Sequence, residues 1–283
     1  RDDRPINVKG WQPDNYGHEY FGPVPLSKAL AMSLNSVAVR LTLEMTPDAV
    51  VRTAHRLGIA SKLEPNASIA LGTSEVSPLE LVGAYAPFAN GGFAVMPHVI
   101  ARITDAKGKL LYAFPDEQLG RVIDPRYVAM MNAMMEQTLT IGTARKASLP
   151  GWSAAGKTGT SQDFRDAWFV CYTPHLVTGV WLGNDDGAPT KHITGGSMPV
   201  EIWSRVMRAA HQGVPVANLP TSSGESFMSG LFGGGQPAPS SQQAETDGAA
   251  PRPPAPIRTT SNQPAPRGGG MDGWLLDNLF GRH

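Results

Sequence analysis

The 283-residue sequence predicts an α+β fold, and three observations carry that prediction. Helical periodicities fill the first half, and two long apolar, β-branched and aromatic runs, AWFVCYTP and LVTGVWLGND, come after them. A last amphipathic stretch then closes the patterned region near Gly213. Beyond Gly213 the composition turns to Gly, Pro, Ser and Gln, and APRPPAPIRTTSNQPAPRGGG holds too few apolar side chains to offset the entropy of ordering. The expected organisation is one folded domain over 1–213 and a disordered tail over 214–283.

Each element has a local signature. Leu26, Leu30, Leu34, Val37, Leu41 and Met45 recur at helical spacing, but Ser33-Leu34-Asn35-Ser36 interrupts them with residues that favour caps and turns. Two short helices meeting at SLN are expected. Thr46-Pro47 reads as an N-cap and first helical residue, with Gly58 as the stop. Ser77-Pro78-Leu79-Glu80 is a capping-box start, and Asn90-Gly91-Gly92 ends that helix. ARIT and KLLYAF flank the turn DAKG as a hairpin. Asp124-Pro125 opens a helix through VAMMNAMMEQTL whose methionines suit core packing. AWFVCYTP and LVTGVWLGND read as adjacent antiparallel strands with most side chains buried, and Pro199 starts a closing helix through Trp203 and Met207 to His211.

Composition excludes several function classes. Lys plus Arg (24) balances Asp plus Glu (24), so no global charge points to nucleic acid or an anionic surface. A single cysteine, Cys171, excludes an internal disulfide and any cysteine metal cluster, and the seven histidines form no H-x-x-x-H pair. Neither a metal nor any other cofactor is implied. No apolar run is long enough to span a bilayer.

The chemistry gathers at GWSAAGKTGTS, residues 151–161. Gly151 to Thr158 satisfies the phosphate-loop pattern G-x-x-x-x-G-K-[ST], while Lys157-Thr158-Gly159-Thr160 is the K-T-G-T of an acyl-transferring serine enzyme. A phosphate loop follows a buried strand and opens a helix. Here polar TARKASLPGW precedes the motif and strand-like AWFVCY follows it, so the context favours K-T-G-T on a strand edge. Alternation along that strand sends Lys157 and Gly159 one way and Thr158 and Thr160 the other, unless a bulge turns the edge.

MSLN at 32–35, ALGTSEVSPLELVGAYAPFANGG at 70–92, IGTARKA at 141–147, GKTGTSQDFRDAWFVCYTP at 156–174 and VTGVWLGNDD at 177–186 occur in order. Together they resemble the transpeptidase domain of class A penicillin-binding proteins, from about Trp11 to His211. The resemblance implies the penicillin-recognising serine transpeptidase and β-lactamase-like fold, an antiparallel sheet flanked by helices, here incomplete at the N-terminus. It also implies peptidoglycan stem peptides as substrates, β-lactams as inhibitors and no nucleic acid. Residue by residue, Ser33 would relay a proton to the leaving amine, and Asn35 would bind the substrate amide and hold the catalytic lysine. Lys157 would supply positive potential beside Ser33. The hydroxyls of Thr158 and Thr160, with Gly159 allowing close approach, would bind the donor carboxylate, and the Thr160 N–H would form half of an oxyanion hole. The GTA at 142–144 reads as structural.

One family motif is missing: no serine is followed three positions later by lysine, so S-x-x-K is absent. The resemblance therefore implies that the chain is inactive alone and belongs to a longer protein with a glycosyltransferase domain and an anchor, at the periplasmic face of the bacterial inner membrane. A D-Ala-D-Ala carboxypeptidase or β-lactamase-like hydrolase is the nearest alternative, and a non-catalytic binding fragment is a further one. The tail carries two apolar islands, SFMSGLFG at 226–233 and WLLDNLFG at 274–281, which are expected to recruit cell-wall, divisome or elongasome proteins.

Overall fold

The computed structural model describes residues 1–115 and 119–221, all within the first of two units of the chain, Arg1–Gly234. The apolar islands and most of the expected tail lie outside the described residues. The chain opens with a two-stranded ribbon, β1 (Asp2–Asp3) against β2 (Gly22–Pro23). Helices α1 (Leu26–Met32), α2 (Asn35–Met45) and α3 (Pro47–Arg56) follow. A 3₁₀ turn at Ala67–Leu71 leads to α4 (Pro78–Ala89). The hairpin is β3 (Arg102–Thr104) with β4 (Leu110–Ala113), and α5 spans Pro125–Thr140. A three-stranded antiparallel meander, β5 (Ala155–Thr160), β6 (Asp166–Tyr172) and β7 (Val177–Gly183), precedes the closing helix α6 (Met198–Ala210).

The two helices meeting at SLN are present, and the junction is a Schellman turn. The Ser33 N–H donates to Leu30 O and the Leu34 N–H to Ala29 O, while Leu34 packs on Ala29, Val24 and Val37. Ser33 occupies the left-handed position, φ 58° and ψ 49°, where glycine is the usual occupant. The capping box of α4 also forms as expected: Glu80 N–H donates to Ser77 Oγ, and Ser77 N–H to the Glu80 carboxylate. Thr46 precedes α3 but its side chain makes no capping bond, because a φ of 76° at that residue is used to reverse the chain between two helices.

Central strand β6 explains the long apolar run. Its alternating side chains feed two cores, one on each face. Phe169 and Cys171 pack with Ala144, Val200, Trp203 and Met207, so α6 covers that face. Tyr172 on the other face packs with Ala155, Ala89, Met135 and Leu219 beneath α4 and α5. Strand β7 is less buried than its composition predicts. Among the described residues it has β6 as its one strand partner, with Trp181 38% exposed and holding its indole N–H on Asp166. Gly179 lets α4 close onto β7, since a Cβ there would stand 2.5 Å from Val82 Cγ2. The methionines of α5 divide: Met135 is core, whereas Met130 is exposed.

Packing continues past Gly213. Leu219 is 3% exposed within the core beneath α5, and Pro220 O accepts from Asn132 Nδ2 at 3.0 Å. Leu219 is a lone anchor between VPVAN and PTSSGE, so a composition scan does not mark this extension as core.

Candidate active site

Strand β5 runs in regular antiparallel register with β6 from Ala155↔Tyr172 to Thr160↔Ala167. No bulge turns the edge, so Lys157 shares a face with Val170, its partner on β6, while Thr158 shares the opposite face with Phe169. The Lys157 face is the one covered by α5, and α1 packs on α5. That stacking brings the end of α1 to the lysine: Lys157 Nζ donates to Ser33 Oγ at 2.8 Å, joining positions 124 residues apart. Nζ also donates to Thr158 O at 3.1 Å.

This lysine has no ion pair with a carboxylate among the described residues. The residue is half-buried, and desolvation pushes its pKa down from 10.5 to about 8. A lysine in that state is a cation that gives up its proton readily, hydrogen-bonded to a hydroxyl at the mouth of a helix turn.

The outer edge of β5 is open, because β6 is its only strand partner among the described residues. The Ser161 N–H donates inward to Asp166 O, so alternation sends the N–H groups of Thr160 and Thr158 out along the open edge. A ligand laid on that edge meets these amides together with side chains from both faces. Thr158 Oγ1 lies 2.6 Å from Thr143 Oγ1, and Thr160 Oγ1 accepts from the Gly195 N–H at 3.0 Å. Gly159 carries no side chain over this stretch. A Cβ on Gly195 would stand 2.4 Å from Gly159 O, so the loop before α6 reaches β5 only through glycine.

Asn35 begins α2 beside Ser33, but its Nδ2 donates to Asp14 O at 2.7 Å, and no hydrogen bond among the described residues joins it to Ser33 or Lys157. Beneath it a buried carboxylate secures the turn. Asp3 accepts from Ser36 Oγ at 2.5 Å, from Asn15 Nδ2 at 2.8 Å and from the Phe21 N–H at 2.9 Å. Burial raises the Asp3 pKa, but these donors together outweigh it and hold the carboxyl below the usual range.

Of the six residues singled out by motif, the structure therefore joins Ser33 to Lys157 and places Thr158, Gly159 and Thr160 along one edge. Asn35 stands beside them on a separate bond. Sequence reading took Thr143, within GTA, as structural and missed Gly195, Asp3 and Asn15, because the bonds that matter join them to Thr158, Thr160, Ser36 and Asp3 across the chain. The single local clue was the glycine next to each of the first two. The phosphate-loop reading is overturned: Gly156, Lys157 and Thr158 are mid-strand residues, the strand runs on to Thr160 with only a three-residue 3₁₀ turn at Gln162–Phe164 after it, and a Cβ on Gly156 would stand 2.5 Å from Val170 O. Among the described residues no group of His, Cys, Asp and Glu is placed to hold a metal ion.

Residues 1–180 match the family of the penicillin-binding protein transpeptidase domain. Penicillin-binding protein 1A of Aquifex aeolicus is 37% identical over 212 residues, which cover 75% of this chain and 29% of that protein. Its namesake in Neisseria meningitidis is 34% identical over 278 residues, 88% of this chain and 35% of that protein. The chain thus spans about a third of the length of these relatives. Among solved structures, PonA1 of Mycobacterium tuberculosis superposes with a TM-score of 0.73 at 29% identity, over 87% of this chain and 69% of that one. PonA1 in complex with penicillin V gives 0.71 at 30% identity, over 77% of this chain and 65% of that one. With a lysine–serine pair beside an open strand edge, and a family match over well more than half its length, the chain belongs to the penicillin-binding protein transpeptidase domain family.

Proposed function

We propose that this chain supplies the proton-relay and carboxylate-binding side of a peptidoglycan D,D-transpeptidase site. The carrying observation is the 2.8 Å bond from Lys157 Nζ to Ser33 Oγ, made by an amine whose pKa is about 8. The reaction is acyl transfer in two steps. A serine outside these residues attacks the carbonyl of the terminal D-Ala-D-Ala amide, an ester bond forms and the amide C–N bond breaks. The serine's proton travels through Ser33 to the departing D-alanine nitrogen. An amine of a neighbouring stem peptide then takes the acyl group and its proton returns by the same route.

In this scheme Lys157 lowers the proton affinity of Ser33 and faces the negative charge that develops beside it. The outward N–H of Thr160 contributes one oxyanion donor, an effect typically worth about 3 kcal/mol. Thr158 and Thr160 hydroxyls receive the donor's terminal carboxylate, and Asn35 offers its amide to the substrate backbone. β-Lactams would acylate the same serine, a reading supported by the penicillin V complex of PonA1. The place of action is the cell envelope; no helix among the described residues is long and apolar enough to cross a membrane. Partners through the tail islands belong to the same proposal. Transfer to water instead of an amine would make the enzyme a carboxypeptidase of the same architecture.

Intact mass after incubation with a penicillin tests the reading. The longer protein that adds an S-x-x-K segment should gain one penicillin, and this 283-residue chain should gain none. Lys157→Ala in the longer protein should slow acylation about a thousandfold. An adduct on Ser33 of the short chain would overturn the role given to Ser33, and a folded longer protein that takes no penicillin would overturn the function.

A further inference from the structure

We infer that Thr143 is a positioning residue: its hydroxyl donates to Thr158 and so turns the Thr158 proton outward, toward the carboxylate of a ligand on the β5 edge. The inference rests on the function proposed above and extends it to a residue outside the K-T-G-T motif.

A hydroxyl has one proton to give. At Thr160 its direction is set, because Oγ1 already accepts from the Gly195 N–H at 3.0 Å and the remaining proton is free for another acceptor. At Thr158 the corresponding neighbour is Thr143 Oγ1, at 2.6 Å. Either oxygen is able to donate in that pair. Once an anion takes the Thr158 proton, only the order Thr143 to Thr158 to anion leaves both bonds made. The two threonines of β5 then share one arrangement: each accepts from a group behind it and donates forward.

Thr143 is held for this task by its backbone. Its N–H donates to Ala31 O at 3.1 Å, two residues before Ser33. Gly142 permits that approach, since a Cβ there would stand 2.3 Å from Ala31 O, and a Cβ on Gly196 would stand 2.4 Å from Thr143 O. The segment is therefore wedged between the end of α1 and the loop before α6. Among the described residues the exposed Thr143 hydroxyl has no other partner. Removing that hydroxyl should alter the polarity of Thr158 and leave the fold in place.

The test compares acylation of the longer, acylable protein by benzylpenicillin and by its methyl ester, which has the same ring system without the anionic carboxylate. The ratio of the two rates is independent of how much of each preparation is folded. Thr143→Val should slow the free acid about tenfold and leave the ester unchanged, and Thr143→Ser should restore the ratio. Thr143→Ala should repeat the loss. Equal slowing of acid and ester, or no change in either, would overturn the inference. If the unchanged protein reacts with neither compound, the function proposed above falls and carries this inference with it.

Discussion

Lys157 ties the site's chemistry to its stability. In the folded chain its pKa is about 8, against an ordinary value of 10.5 in the unfolded chain. Between those values the unfolded state binds the extra proton, so stability rises with pH across that window and is flat below it. Below pH 8 the protein bears the cost of a desolvated charge, at most about 3 kcal/mol. Lys157→Met should therefore unfold at higher urea than the unaltered chain near pH 7, and the gap should narrow steadily toward pH 10. A gap that does not change with pH would mean the amine is not desolvated. Ser33 carries a second local cost, a left-handed backbone on a residue with a Cβ, about 1 kcal/mol. Two residues that touch at 2.8 Å both sit where a different side chain would be more comfortable, which fits a site kept for chemistry.

Glu80 works at the scale of an element and in the opposite direction to Lys157, since its interactions stabilise the fold. Its carboxylate closes the capping box of α4 and also accepts from the Ala60 N–H, the Ser61 N–H and Ser61 Oγ, fastening the segment after α3 to the start of α4. The Ser61 hydroxyl leads these donors in drawing the Glu80 pKa from 4.5 down to about 2. The folded value is the lower one, so the stabilisation is complete above pH 4.5 and disappears as pH falls through 2. Glu80→Gln should lower the melting temperature at pH 7 and flatten the loss of stability between pH 4.5 and 2, both measurable by circular dichroism. Elements with local punctuation of this kind were legible from residues alone: the Ser77 box, the SLN break and the Asp105 turn each use partners within a few positions. Lys157, Thr158 and Thr160 were legible through a family pattern. Thr143, Gly195 and Asp3 were not, because what gives them meaning lies across the fold: Thr158, Thr160 and Ser36 respectively. Thr46 shows the converse, a good capping residue whose position was needed for a chain reversal.

Across the whole described molecule, β6 is the axis and its two faces unite segments from both ends of the domain. Asn132 holds one end of this arrangement, donating to Phe88 O and Pro220 O at 3.0 Å each and accepting from Tyr172 OH at 2.6 Å, with no exposure of its own. Ending the chain after residue 213 would strip away Leu219 and one of those acceptors. A chain ending there should be less stable than one ending at 221, and Leu219→Ala alone should cost about 3 kcal/mol in urea unfolding. Equal stability of the two truncations would show that the segment adds nothing to the core. The 124-residue span of the Lys157–Ser33 bond bears on timing as well as structure. The α1–α2 pair and the β5–β6–β7 meander are each built from near neighbours and can assemble early, whereas their meeting waits for a long loop to close. The Lys157–Ser33 contact is thus among the last features a newly made chain acquires, and a reagent that reads this contact would time the end of folding instead of its beginning.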